Sequence, residues 1–207
     1  MSEPAAAAGR ALPVVGDNAP RRNYGLLEPV GRLILRRLGW RIEGTPPDLP
    51  RGVVAFAPHS SNWDFVIAIS AMFALRLRVT FVGKHTLFRG PLGVFMRWLG
   101  GIPVDRGRPE GFVDAIVAEF ATRDKLWVTL APEGTRRAGA PFKTGFYRIA
   151  QAAGVPIIPV FLNYERKVMG FLDPIGAEGD VQHGVAAIRE GLQRRGARRR
   201  RNAGEAR

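Results

Sequence analysis

Cysteine is absent from all 207 residues of the chain. Disulfide bonds, thiolate metal sites and a cysteine nucleophile are therefore excluded, and a reducing compartment fits the composition. No apolar run approaches the roughly 20 residues that a membrane-spanning helix needs. The alanines near the N-terminus lead into Gly, Pro, Asp and Asn instead of the apolar core of a signal peptide. Any contact with a membrane is thus predicted to be peripheral.

Several motifs of enzyme chemistry are also missing. No serine lies in a Gly-x-Ser-x-Gly nucleophile elbow, and neither a P-loop nor a dinucleotide-binding glycine fingerprint is present. The His, Asp and Glu residues do not show the spacing of zinc ligands, so a metal is not expected. These absences argue against the commonest hydrolase, nucleotide-binding and zinc-dependent classes.

Acidic residues are few beside basic ones. The chain has 31 Lys and Arg against 18 Asp and Glu, which gives a formal net charge of +13. Such an excess implies an anionic partner, either nucleic acid, an acidic membrane surface or a phosphorylated substrate. A non-enzymatic basic binding protein is one interpretation of this charge. Nucleic acid is not expected, because the sequence shows no reading motif and no aromatic residues interleaved with basic ones.

Apolar segments alternate between strand-like runs and helix-like periodicity, which predicts an α/β fold with a largely parallel sheet flanked by helices. Residues 1–23 are predicted to be a loose leader, residues 24–192 a single domain, and residues 193–207 a basic, disordered tail. The helical spacing of apolar residues over 26–38, with arginines between them, predicts a basic amphipathic helix. This helix either packs on the domain or docks on lipid. Strands are predicted at 53–57, 79–82, 102–104, 126–130 and 156–162; further helices at 62–75, 91–99, 109–123, 146–152 and 181–194.

The segment around His59 and Asp64 is the first candidate site. On a regular helix, residues five apart point about 140° away from each other. The two side chains can therefore meet only if His59 lies in a loop and Asp64 in the first helical turn. A carboxylate paired with the ring would fix its tautomer and make His59 a general base. Alternatively, Ser61-x-x-Asp64 is only the capping box of a helix.

Two further blocks are candidates for substrate binding, and the first of them follows a predicted strand, where open α/β sheets place their ligands. In the block 133–136, Glu133 is predicted to fix the loop or to bind a substrate hydroxyl, and the Gly134–Thr135 backbone to face a phosphate or an oxyanion. In the block 100–106, two glycines precede Arg106, whose planar guanidinium suits a phosphate. Lys84 supplies another cation after a strand.

Four blocks in this order resemble the glycerolipid acyltransferase family, which includes the lysophosphatidic acid acyltransferases. They are His59…Asp64, Gly101…Arg106, Glu133-Gly134-Thr135-Arg136 and Val155-Pro156-Ile157-Ile158-Pro159-Val160, and together they cover roughly residues 50–165.

The resemblance implies an O-acyltransferase of phospholipid biosynthesis on the cytoplasmic face of a membrane. An acyl group would pass directly from acyl-CoA or acyl carrier protein to a lysophospholipid hydroxyl, with 1-acylglycerol-3-phosphate as the first acceptor expected and another lyso-lipid as the alternative. No cofactor beyond this co-substrate is implied. By this analogy His59 is the base, Asp64 its orienting partner and Arg106 a phosphate ligand. Further substrate-binding residues would be Lys84, Glu133, Gly134, Thr135 and Arg136.

Overall fold

Helices and strands alternate along the chain. The computed structural model describes residues 11–104, 111–135, 137 and 140–195. The helices are α1 (Leu27–Leu38), α2 (Asn62–Ala74), α3 (Gly90–Trp98), α4 (Phe112–Thr122), α5 (Gly145–Ala153) and α6 (Val181–Arg194), with a short 3-10 helix at His85–Phe88. The strands are β1 (Arg41–Glu43), β2 (Arg51–Ala57), β3 (Val79–Lys84), β4 (Gly101–Val104), β5 (Leu126–Leu130), β6 (Ile157–Asn163) and β7 (Val168–Phe171).

In the described part of the chain, these strands form one seven-stranded sheet in the order β1-β7-β6-β2-β5-β3-β4. All neighbouring pairs are parallel except β6 and β7, which are antiparallel. The central strands β2 and β6 are almost continuously apolar because helices cover both faces of the sheet. The α/β fold and the largely parallel sheet are therefore confirmed.

Two layers of helices cover the two faces of this sheet. Alternate side chains of β2 point to opposite faces: Val54 and Phe56 pack with α1, α2 and α3, whereas Val53 and Ala55 pack with α4, α5 and α6. Helices α1 and α2 approach closely at Gly31, where a Cβ atom would lie 2.5 Å from the carbonyl oxygen of Ser70. One face of α1 therefore packs on its own domain.

Part of the predicted loose leader is packed. Val15 and Ala19 are buried, and Asp48 accepts hydrogen bonds from the backbone and side-chain nitrogens of Asn18, at 2.8 Å and 2.9 Å. A composition rich in Ala, Pro and Gly suggested a loose segment, but these anchors hold residues 11–23 against the domain. Residues 1–10 lie outside the described residues.

The ends of the other elements differ little from the predicted bounds. Helix α6 ends at Arg194, so the first two residues of the predicted tail are helical, and residues 196–207 lie outside the described residues. Strands β1 and β7, of three and four residues, were not predicted. Within the described ranges, no helix has both the length and the apolar character needed to cross a membrane.

Candidate active site

The candidate residues lie along one edge of the sheet. Strands β2, β3, β5 and β6 run parallel, so their carboxyl ends share this edge. His59 follows β2, Lys84 ends β3, Glu133 follows β5 and Tyr164 follows β6. This is the edge at which open α/β sheets hold their ligands.

The structure brings His59 and Asp64 together, and it meets the condition that their spacing sets. His59 lies in the loop between β2 and α2, and Asp64 is the third residue of α2. The Nδ1 atom of His59 is 3.5 Å from Oδ2 of Asp64, which is an ion-pair distance somewhat longer than a typical hydrogen bond. The Asp64 side chain is fully buried, whereas 28% of the His59 side chain is exposed. The ring therefore bridges a buried carboxylate and the solvent.

The Asp64 carboxylate has a partner on each oxygen. Oδ2 accepts hydrogen bonds from the backbone N–H groups of Ser60 and Ser61, and Oδ1 accepts one from the hydroxyl of Tyr164. A buried carboxylate needs such donors, since burial without them is costly. The same donors fix the position of the oxygen that faces His59.

The structure also shows the helix-capping contacts of Asp64. The Ser61 side chain accepts a hydrogen bond from the backbone N–H of Trp63 at 3.1 Å, while Asp64 accepts one from the Ser61 N–H at 2.7 Å. Together these form a capping box at the start of α2. The two alternatives left open by the sequence are therefore compatible, because one carboxylate makes both sets of contacts.

Glu133 contacts the His59 loop directly. Its side chain is buried, and Oε2 accepts a hydrogen bond from the backbone N–H of His59 at 3.3 Å. Of the two roles predicted for Glu133, this contact fits the fixing of loop geometry. Gly134 follows with a φ of 60°, a left-handed conformation that glycine adopts without strain. The Thr135 hydroxyl accepts a hydrogen bond from the backbone N–H of Arg137 at 3.3 Å.

Of the three cationic residues predicted to bind substrate, only Lys84 lies within the described residues. The main chain of Lys84 pairs with Val104 at the carboxyl ends of β3 and β4. Arg106 and Arg136 lie outside the described residues, so their predicted contacts with a phosphate stay predictions. Among the side chains that the structure places, no three His, Asp or Glu residues come close enough together to hold a metal ion.

Tyr164 is a site residue that the sequence did not reveal. It is half-buried at the end of β6, and its ring packs edge-to-face on Trp40 at a centroid distance of 5.0 Å. This contact holds the ring whose hydroxyl donates to Asp64. Its only sequence signal was a polar aromatic residue just beyond a strand of the sheet.

The sequence of this chain is similar to those of known acyltransferases. A family model described as Acyltransferase matches residues 42–163. The 1-acyl-sn-glycerol-3-phosphate acyltransferase of Escherichia coli is 36% identical over 114 residues, which cover 52% of this chain and 45% of that protein. The protein of the same name from Haemophilus influenzae is 35% identical over 145 residues, which cover 61% of this chain and 59% of that protein.

A solved structure shares the fold. The crystal structure of the 1-acyl-sn-glycerophosphate (LPA) acyltransferase PlsC from Thermotoga maritima superposes with a TM-score of 0.60 and 19% sequence identity. The match covers 81% of this chain and 76% of that chain. The chain spans about half the length of the sequence relatives described above.

Proposed function

Because the chain belongs to the Acyltransferase family, we propose that it transfers a fatty acyl group from an acyl thioester to the hydroxyl of a lysophospholipid. The thioester would be acyl-CoA or acyl carrier protein. The names of the relatives make 1-acyl-sn-glycerol-3-phosphate the first acceptor to test, with other lyso-lipids as the alternative. The placement of His59 against Asp64 is the observation that carries this proposal.

In the proposed reaction, His59 acts as the general base. With Nδ1 turned toward Asp64, Nε2 is the ring nitrogen that would receive the proton of the acceptor hydroxyl. The hydroxyl oxygen attacks the thioester carbonyl carbon as its proton moves to the ring. The carbon–sulfur bond then breaks, and the departing thiolate takes the proton back from the imidazolium. No acyl-enzyme intermediate is needed, because the alcohol attacks the thioester directly.

Asp64 and Tyr164 have positioning roles in this scheme. The carboxylate would hold the proton on Nδ1 of His59 and stabilise the imidazolium that forms. The Tyr164 hydroxyl and the Ser60 and Ser61 amides would keep the carboxylate from turning away. Glu133 supports the backbone on which His59 stands.

Acceptor binding is proposed for the same edge of the sheet. A lysophospholipid carries a phosphate, so cations at the carboxyl ends of the strands would bind it. Arg106 is the proposed ligand of this phosphate, and Lys84 lies at the end of a neighbouring strand. The other residues proposed to contact the substrates are Glu133, Gly134, Thr135 and Arg136.

We place the protein on the cytoplasmic face of an anionic membrane. A lysophospholipid resides in the bilayer, whereas CoA and carrier protein are water-soluble, so the reaction belongs at the interface. The net charge of +13 is consistent with attraction to anionic lipid.

The test is an acceptor panel with labelled acyl-CoA and acyl carrier protein, run on the purified protein and on His59→Ala. We expect at least one lysophospholipid to be acylated, and His59→Ala to lower the rate by about 10²- to 10⁴-fold. His183→Ala is the matched control, because the His183 side chain is exposed on α6. The contact of this residue with Asp180 uses the His183 backbone N–H, which the substitution keeps. A wild-type rate in His59→Ala would remove the catalytic role.

A further inference from the structure

The exposed apolar side chains are distributed unequally between the two helix layers. Of the large apolar side chains that the structure exposes on helices, all belong to α1, α2, α3 and the 3-10 helix, and none to the fully described helices α4, α5 and α6. They are Leu26 (adjoining α1), Val30, Leu33, Trp63, Val66, Leu87, Leu92, Val94, Phe95 and Trp98. Scattered exposed apolar residues are ordinary, but their concentration on one layer indicates a surface that contacts a partner.

Helix α3 has the densest part of this surface. Its inner side buries Gly93 and Met96, while Val94 is 64% exposed and Phe95 is 47% exposed. The rings of Phe95 and Trp98 stack at a centroid distance of 6.0 Å. A helix that is buried on one side and apolar on the other has an unfavourable outer face in water.

Charge on this segment has a single sign. Residues 85–98 include Arg89 and Arg97 and no Asp or Glu. Aromatic and aliphatic side chains bordered by arginines suit the boundary between lipid chains and anionic headgroups.

Helix α1 extends the surface. Leu26, Val30 and Leu33 are spaced by four and three residues, so they form a stripe on a face different from the buried Gly31 and Leu35. The segment that leads into α1 contacts the end of α3, because the rings of Tyr24 and Trp98 lie 6.0 Å apart. The Arg22 guanidinium lies 4.5 Å from the centre of the Trp98 ring.

The surface reaches the candidate active site. Trp63 and Val66 are exposed in the first turns of α2, directly after the His59 loop. Leu87 follows β3 at the same carboxyl edge of the sheet. A lipid layer in contact with these residues would bring its headgroup region to the mouth of the site.

We propose that the outer face of α3, with the stripe on α1 beside it, is the docking surface for an anionic phospholipid bilayer. This inference deepens the proposed function, on which it rests for the presence of a lipid acceptor. It assigns the main apolar contact to α3, whereas the sequence pattern offered lipid docking as one of two interpretations of α1.

Vesicle flotation tests this assignment without any catalytic step. The full chain is mixed with vesicles of phosphatidylcholine and phosphatidylglycerol, or of phosphatidylcholine alone, and the floated fraction is measured. We expect binding to the anionic vesicles, and a decrease of about tenfold or more in partitioning for Val94→Ser with Phe95→Ser. Val14→Ser is the matched control, because Val14 is 83% exposed and belongs to none of these helices. Circular dichroism verifies that each variant is folded.

Two further variants separate the contributions within the surface. Val30→Ser with Leu33→Ser is expected to reduce partitioning less than the α3 pair does. Arg89→Gln should weaken binding to anionic vesicles by about fivefold and should matter less as salt is raised. The proposal is overturned if the wild type does not float, if the α3 pair floats like the wild type, or if only the α1 pair loses binding.

Activity and self-association provide the remaining controls. On a short-chain lysophospholipid in free solution, the α3 pair is expected to turn over like the wild type, and on vesicle-embedded acceptor to be slower. Flotation without any turnover would refute the proposed reaction but keep the docking surface. A wild-type dimer in light scattering that the α3 pair abolishes would show instead that this face binds a second copy of the chain.

Discussion

The two helix layers of this protein cover the same sheet, but they differ in how many large apolar side chains they expose to solvent. The layer of α4, α5 and α6 holds its large apolar side chains inside, as shown by the fully buried Tyr147 and Ile188. The layer of α1, α2 and α3 buries an equally continuous core and also presents apolar side chains to solvent. The first arrangement leaves no large apolar side chain of its fully described helices exposed, whereas the second fits the docking surface proposed above.

The layers differ in chemistry as well. The candidate catalytic pair lies at the start of α2, in the layer with the exposed apolar surface. In the opposite layer, the close contacts are structural: a Cβ atom at Gly184 would lie 2.2 Å from the Tyr147 ring. Substitutions in the two layers should therefore separate activity from stability.

The largest effect is expected for Asp64→Asn. The amide can still accept a hydrogen bond at the helix start, but it no longer fixes the His59 tautomer or stabilises the imidazolium. Turnover should fall by about 10²- to 10⁴-fold while the circular dichroism spectrum keeps its folded shape.

Ser61→Ala is the control for Asp64→Asn. It removes the side-chain half of the capping box and should lower the free energy of unfolding by about 1 kcal/mol with little loss of turnover. An unchanged turnover number in Asp64→Asn would leave Asp64 with the helix cap as its only role.

A large effect on stability is expected in the opposite layer. Ile188 is fully buried, so Ile188→Ala should lower the free energy of unfolding by about 2–5 kcal/mol. Below its melting transition, the variant should bind anionic vesicles like the wild type. Denaturant unfolding and flotation measure the two quantities. A loss of vesicle binding in the folded variant would mean that the layers are not independent.

The smallest effect is expected for Tyr164→Phe. Removing the hydroxyl leaves one oxygen of Asp64 without this donor, so kcat should fall by about tenfold while KM changes little. Tyr147→Phe is the matched control, since the Tyr147 hydroxyl donates to the carbonyl oxygen of Glu178 at 2.8 Å in the other layer. The control should lose about 1 kcal/mol of stability and no turnover. Equal turnover losses in both variants would remove the positioning role of Tyr164.

Much of the fold could be predicted from the sequence because its strands are strong local signals. The central strands are apolar runs bounded by Pro, Gly or charged residues, so β2, β5 and β6 were predicted within two residues at each end. Strands β1 and β7 depend on pairing with each other and with β6, which no local pattern reveals.

The candidate site also combines contacts between residues close in sequence and contacts between residues far apart in sequence. His59 and Asp64 are close in sequence, so their spacing and the loop-to-helix junction made their approach one of the two interpretations that the sequence offered. Tyr164 is 100 residues away from Asp64, and Glu133 is 74 residues away from His59. Their contacts arise only when β5 and β6 align on the two sides of β2, with Ala57 opposite Phe161. Sequence order alone does not contain that register.

The insertion of β6 beside β2 has a consequence for how the protein is made. A nascent chain on the ribosome displays the segment with His59 and Asp64 long before Tyr164 is synthesised. Until β6 pairs with β2, one edge of the central strand is open and the carboxylate lacks one of its donors. The full set of donors to Asp64 is therefore complete only after β6 has been synthesised and has paired with β2.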